Sequence, residues 1–229
     1  MRSISPRGAL TPRKIGPPAR PGIRTVRQAL WHGQRWMLWR PGMFASVLMQ
    51  WQRENAENFQ RSIEQVRRFE RGTVPLGVLW GAVLRPDGKV MDLGLMSCRV
   101  VTDAGVGFLI DSLQGLVEPE LMRYHGLGTS SAAENVNQTA LTTELTTQYT
   151  PANTRATGSQ GEKAGDPKTY ETVATNTMAA GATITEHGIF SQAATGGGVL
   201  MDRSVFTGVP LSTSESLATT YQYTLPSGS

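Results

Sequence analysis

The sequence predicts a mainly β protein: an antiparallel β-sandwich, jelly-roll-like, with an extended basic N-terminal arm and one amphipathic helix. Three observations carry this. Ile184, Phe190, Tyr221, Tyr223 and Leu225 recur at period two among Thr, Ser and Gln, the pattern of half-buried antiparallel strands. About eight such segments follow one another between Gly-rich turns, with no alternation of strand and long helix to build a parallel sheet. The charge is split along the chain: residues 1–72 hold 14 basic and 4 acidic side chains, the rest 8 and 14, so the net +4 conceals two oppositely charged parts.

Residues 1–42 read as an arm. Pro6, Pro12, Pro17, Pro18 and Pro21, with Gly8, Gly16 and Gly22, forbid a helix and leave few side chains for a core. The predicted partner-binding residues lie here: Arg13, Lys14, Arg20, Arg24 and Arg27, then Trp31, Arg35, Trp36, Trp39 and Arg40. Arg side chains on an extended backbone pair with carboxylates or phosphates along a groove. Three Trp within nine residues, alternating with Arg, form a docking patch, a local minicore or a base-stacking surface.

Residues 43–72 carry the amphipathic helix. Ala56, Phe59, Ile63 and Val66 follow a 3–4 spacing, Phe69 extends it, and Glu57–Arg61 and Glu64–Arg68 are favourable i,i+4 pairs. Gly72 and Pro75 end it.

Residues 73–229 form the β domain. A strand over 74–84 turns at Arg85-Pro86-Asp87-Gly88 and returns over 89–101 as a hairpin. Thr102-Asp103 caps a short helix to about Leu113, with Val106, Phe108, Leu109, Ile110 and Leu113 expected on its buried side. Further strands are predicted over 121–127, 154–158, 169–178, 183–190, 199–206 and 217–225, with 139–149 partly helical or irregular.

The catalytic inventory is thin. His32, His125 and His187 are the three histidines; the last two fall on predicted strands that can meet in space, where hydrogen-bonded structural roles are the ordinary expectation. Glu186 points away from His187, leaving a metal pair short of ligands. No nucleophile elbow, phosphate-binding loop or zinc-protease motif is present in the sequence. The single cysteine, Cys98, excludes an internal disulfide framework and reads as a small buried hydrophobe. No run of eighteen apolar residues exists to cross a membrane, and the N-terminus lacks the apolar stretch of a secretory signal. These features predict a non-enzyme without cofactor or metal, acting inside a cell or on a particle assembled there.

Tyr124-His125-Gly126-Leu127-Gly128-Thr129, Ala133-Glu134 and Thr139-Ala140-Leu141-Thr142-Thr143-Glu144-Leu145 resemble a stretch found in a family of tailed-bacteriophage virion structural proteins. Ile184-Thr185-Glu186-His187-Gly188-Ile189-Phe190-Ser191, Leu200 to Phe206 and Tyr221 to Leu225 resemble, in the same order, its later phrases. The resemblance covers roughly residues 88–229 and leaves residues 1–72 outside it. It implies a β-sandwich on a phage particle. The leading expectation is a capsid decoration (cement) protein, its arm running over the major capsid protein and its copies joined, as a trimer, on the lattice. The alternative is a neck, tail or fibre-anchoring component contacting portal or tail proteins, since Glu186-His187-Gly188-Ile189-Phe190 also resembles tail-collar domains. From other classes, a nucleic-acid module using the arm predicts salt-dependent DNA binding, and a carbohydrate-active enzyme would rest on Asp202 or Glu186. Neither nucleic acid nor membrane is the expected partner.

Overall fold

A computed structural model of the chain describes residues 60–72, 74–99, 101–150 and 152–225. All ten predicted partner residues, from Arg13 to Arg40, lie outside the described residues, as does the predicted helix before residue 60.

The described chain is mainly β, with antiparallel sheets and two helices. Helix α1 occupies residues 60–70 and ends where Gly72 takes a φ of +69°. Strands β1 (Leu76–Leu84) and β2 (Val90–Arg99) form the predicted hairpin. Its turn is closed by Arg85 N–H donating to Lys89 O at 2.9 Å, with Gly88 at φ +81°. Helix α2 (Asp103–Leu113) follows, then a single 3-10 turn (Pro119–Leu121). The remaining strands are β3 (Tyr124–Gly128), β4 (Tyr149–Thr150), β5 (Ala156–Thr157), β6 (Ser159–Lys163), β7 (Asp166–Met178), β8 (Ala182–Phe190), β9 (Leu200–Leu211) and β10 (Ser216–Thr224).

One sheet runs β2-β1-β10-β7-β4, with β6 also on β7; the other runs β5-β3-β8-β9. The main core draws on both. Leu79, Val83, Met178, Leu217 and Tyr221 come from the first sheet, and Leu127, Ile184, Ile189, Phe206 and Val209 from the second. A side-chain bond also joins the sheets, Asn176 Nδ2 on β7 donating to His125 O on β3 at 3.0 Å. Helix α1 covers the opposite face of the first sheet, where Val66 and Phe69 pack on Leu76, Val78 and Cys98. No helix among the described residues is long and apolar enough to cross a membrane.

The structure departs from the sequence reading in four places. Ten strands appear among the described residues rather than about eight, because β4 is only two residues long and β6 is a polar piece with no apolar alternation. The strand expected over 121–127 starts only at Tyr124, since Pro119 initiates a 3-10 turn. Strand β9 runs past Phe206 to Leu211 and carries Pro210 near its end, on the edge strand of its sheet, where proline is tolerated in sheets.

The fourth departure is α2. Thr102 caps it as predicted, its Oγ1 accepting from Gly105 N at 3.0 Å. Of its five expected buried residues, however, only Phe108 is fully buried and Leu109 partly so. Val106, Ile110 and Leu113 are 42%, 52% and 85% exposed. The reason is geometric: α2 rests on β9 through Gly105, and that narrow contact presents the faces of Gly105, Phe108 and Leu109, not the neighbouring one.

Candidate functional site

The chemically richest part of the described molecule is the second sheet, where ionisable side chains are buried on both faces. Alternation places them. In the β8–β9 register His187 is opposite Ser204 and Ile189 opposite Asp202, all facing the core; Glu186 is opposite Val205 and Gly188 opposite Arg203, all facing away. Glu186 and His187 thus point to opposite faces, as their adjacency requires.

The outward face is roofed by the loop from Thr129 to Leu145, and arginines hold it down. Arg203 Nε donates to Glu186 Oε2 at 2.7 Å, and its Nη1 reaches Ala132 O in the loop at 3.0 Å. Glu186 in turn accepts the backbone N–H groups of Thr143 at 2.7 Å and Thr142 at 3.1 Å. Arg155 grips Glu144 with two parallel bonds, 2.6 and 2.9 Å, and lies 3.4 Å over the ring of Phe190. Arg99 Nε meets Glu134 Oε1 at 2.5 Å. All six charged side chains are 8% exposed or less. Gly128 explains how the loop comes so close: a Cβ there would sit 2.5 Å from Thr143 O.

The inward face holds a polar cluster between the sheets. His125 and His187 meet edge to face, Nδ1 of the first 3.0 Å from Nε2 of the second. Thr219 Oγ1 lies 2.9 Å from the same Nδ1, and Thr172 Oγ1 3.2 Å from His125 Nε2. Burial pushes both imidazoles down, His187 to about 3 and His125 well below its ordinary value, the latter also by its neighbour's charge. Asp202 sits nearby on β9, one carboxylate oxygen accepting from Ser204 Oγ at 2.9 Å and the other without a partner. Burial raises it to about 7. The Tyr221 hydroxyl, also unpartnered, is held far above its ordinary range by burial and by Asp202.

Chemically, these are two neutral imidazoles bonded to each other and to threonine hydroxyls, and a carboxyl bonded to Ser204 that keeps its proton into the neutral range, all at zero exposure. The described residues contain no group of three or more ligands placed to hold a metal. The sequence reading anticipated the meeting of His125 and His187. It missed the three arginine–glutamate pairs, whose partners lie 11 to 35 residues apart with no shared periodicity. Their one legible signal is Arg99 and Arg203, each lying in a strand stretch otherwise built of buried residues.

Comparisons with protein-family models, with characterised proteins and with solved structures each return no match.

Proposed function

We propose that this chain is a structural protein of a tailed-phage virion, a capsid decoration (cement) protein whose β-sandwich forms a rigid outer body and whose basic arm runs over the head lattice. The sandwich is read from two antiparallel sheets sharing one core, with the β7–β8 and β9–β10 connections passing between them.

One observation carries the reading. The residues of the phage-like phrases are the ones that build the body: Glu134, Glu144, Glu186 and Arg203 fasten the roof loop, and His125 and His187 join the interior cluster. Side chains consumed in this way serve shape, and the phrase reads as the signature of a scaffold. The arm supplies the complement, ten basic residues before the first acid at Glu54, suited to the acidic surface expected of a capsid shell. Copies gathered as trimers at symmetry axes would bridge neighbouring capsid subunits.

The test is the copy number in purified virions, by quantitative mass spectrometry scaled to the major capsid protein. A ratio near one per capsid subunit is expected. One to a few copies per hundred subunits would place the protein at the neck or tail and sink the cement assignment.

A further inference from the structure

The exposed stripe on α2 is the largest feature that the architecture leaves unexplained. Val106, Ile110 and Leu113 lie one helical turn apart on a single face, and Leu116, 68% exposed, continues the line beyond the helix. Such a contiguous apolar strip normally marks a contact surface. It is also strongly acidic. Residues 103–122 contain Asp103, Asp111, Glu118 and Glu120, all exposed, and no basic side chain.

We infer that this face is the docking site for the Trp31–Arg40 segment of the same chain in the free protein. The match is double. The segment is apolar through Trp31, Trp36 and Trp39 and basic through Arg35 and Arg40, with no acid among its residues. Trp and Arg are enriched among the residues that dominate binding energy at interfaces, and opposite charge steers and orients such a contact.

Position selects the same chain over a neighbour. The described chain enters α1 at residue 60, and Arg61 there reaches Glu134 at 3.7 Å. Two residues beyond Glu134, Val136 O accepts Asp103 N–H at the start of α2, at 2.8 Å. The arm therefore joins the body beside the stripe. The twenty residue-to-residue steps from Arg40 to residue 60 span about 30 Å if helical and about 66 Å if extended. Either reach covers an 11-residue helix.

In the isolated protein the arm is thus stored on its own body. The inference concerns the isolated protein and stands apart from the virion assignment. The test is proximity cross-linking in the full chain. Met37→Cys is paired with Leu113→Cys, or as control with Thr213→Cys, an exposed position that follows the far end of β9. A short bis-maleimide links them, and Cys98 is fully buried and out of reach. The expected result is a cross-link within one chain, at least ten-fold more abundant for the position 113 pair than for the control. Adding Ile110→Glu should cut it at least five-fold with the melting temperature unchanged. Equal yields at the two positions would overturn the proposal. So would a cross-link mainly between chains, which would hand the stripe to a second copy.

Discussion

At the scale of single residues, the buried charges set what the protein tolerates. Arg203 and Glu186 are 1% and 0% exposed and hydrogen-bonded at 2.7 Å. Removing one partner strands the other, so Arg203→Ala should cost about 3–5 kcal/mol in denaturant unfolding. Adding Glu186→Ala should cost less than the sum of the two single losses, though not nothing, because the N–H groups of Thr142 and Thr143 then lose their acceptor. The interior cluster predicts a pH dependence. His187, lowered from 6.5 to about 3, contributes stability that is present above pH 6.5 and lost as pH falls toward 3, because only the unfolded chain takes up the proton there. His125 acts in the same direction. Asp202 acts oppositely: raised from 3.8 to about 7, it contributes stability present below pH 3.8 and lost as pH rises through 7. Between 3.8 and 6.5 the single carboxyl only partly offsets the two histidines, so the cluster contributes most near pH 6.5 and loses stability on the acid side. In thermal melts from pH 5 to 8, the advantage of Asp202→Asn over the unsubstituted protein should grow as pH rises. A constant difference would mean that Asp202 does not titrate in that window.

At the scale of elements, α2 offers an internal comparison, for it contains two glycines in different surroundings. A Cβ at Gly105 would lie 2.6 Å from Met201 O and 2.7 Å from Met201 Cα, and backbone cannot give way as a flexible side chain can. At Gly107 it would meet nothing within 4 Å. Alanine gains about 1 kcal/mol over glycine in a helix interior. Gly107→Ala should therefore stabilise by about that amount, while Gly105→Ala should destabilise by about 1–3 kcal/mol as α2 is pushed off β9. Equal effects in denaturant titrations would show that α2 is not seated through Gly105. The same helix marks where sequence pattern stops being informative. Five large apolar residues in eleven exceed what one buried face can hold, and periodicity alone does not say which of two adjacent faces turns inward. The longer strands were legible because β7, β8 and β10 alternate between the core and the outer face, whereas Ser159-Gln160-Gly161-Glu162-Lys163 pairs with β7 without any such alternation.

At the scale of the whole molecule, the two sheets and α1 converge on one side chain in the roof loop. Glu134 Oε1 accepts from Arg99 Nε at the end of β2 and from Val205 N on β9 at 2.9 Å, while its second oxygen faces Arg61 of α1. Arg99 extends the connection, its Nη1 donating to Ser62 Oγ on α1 at 2.8 Å. The sequence shows Glu134 only as one acidic residue in a polar stretch; its position between three elements is a product of tertiary structure and has no periodic trace. The core residues that α1 buries, Val66 and Phe69, were readable from their spacing, but the polar anchoring through Ser62 was not. Because the same carboxylate holds helix and sheets, they should unfold together. Glu134→Gln keeps the shape but removes the charge that Arg99 requires, so its midpoint in urea should fall. The helical signal at 222 nm and the near-ultraviolet aromatic signal should shift by the same amount and remain superimposable. If the helical signal instead melted first in the variant, α1 would be a separately unfolding layer, and Glu134 its tether to a body that stands without it.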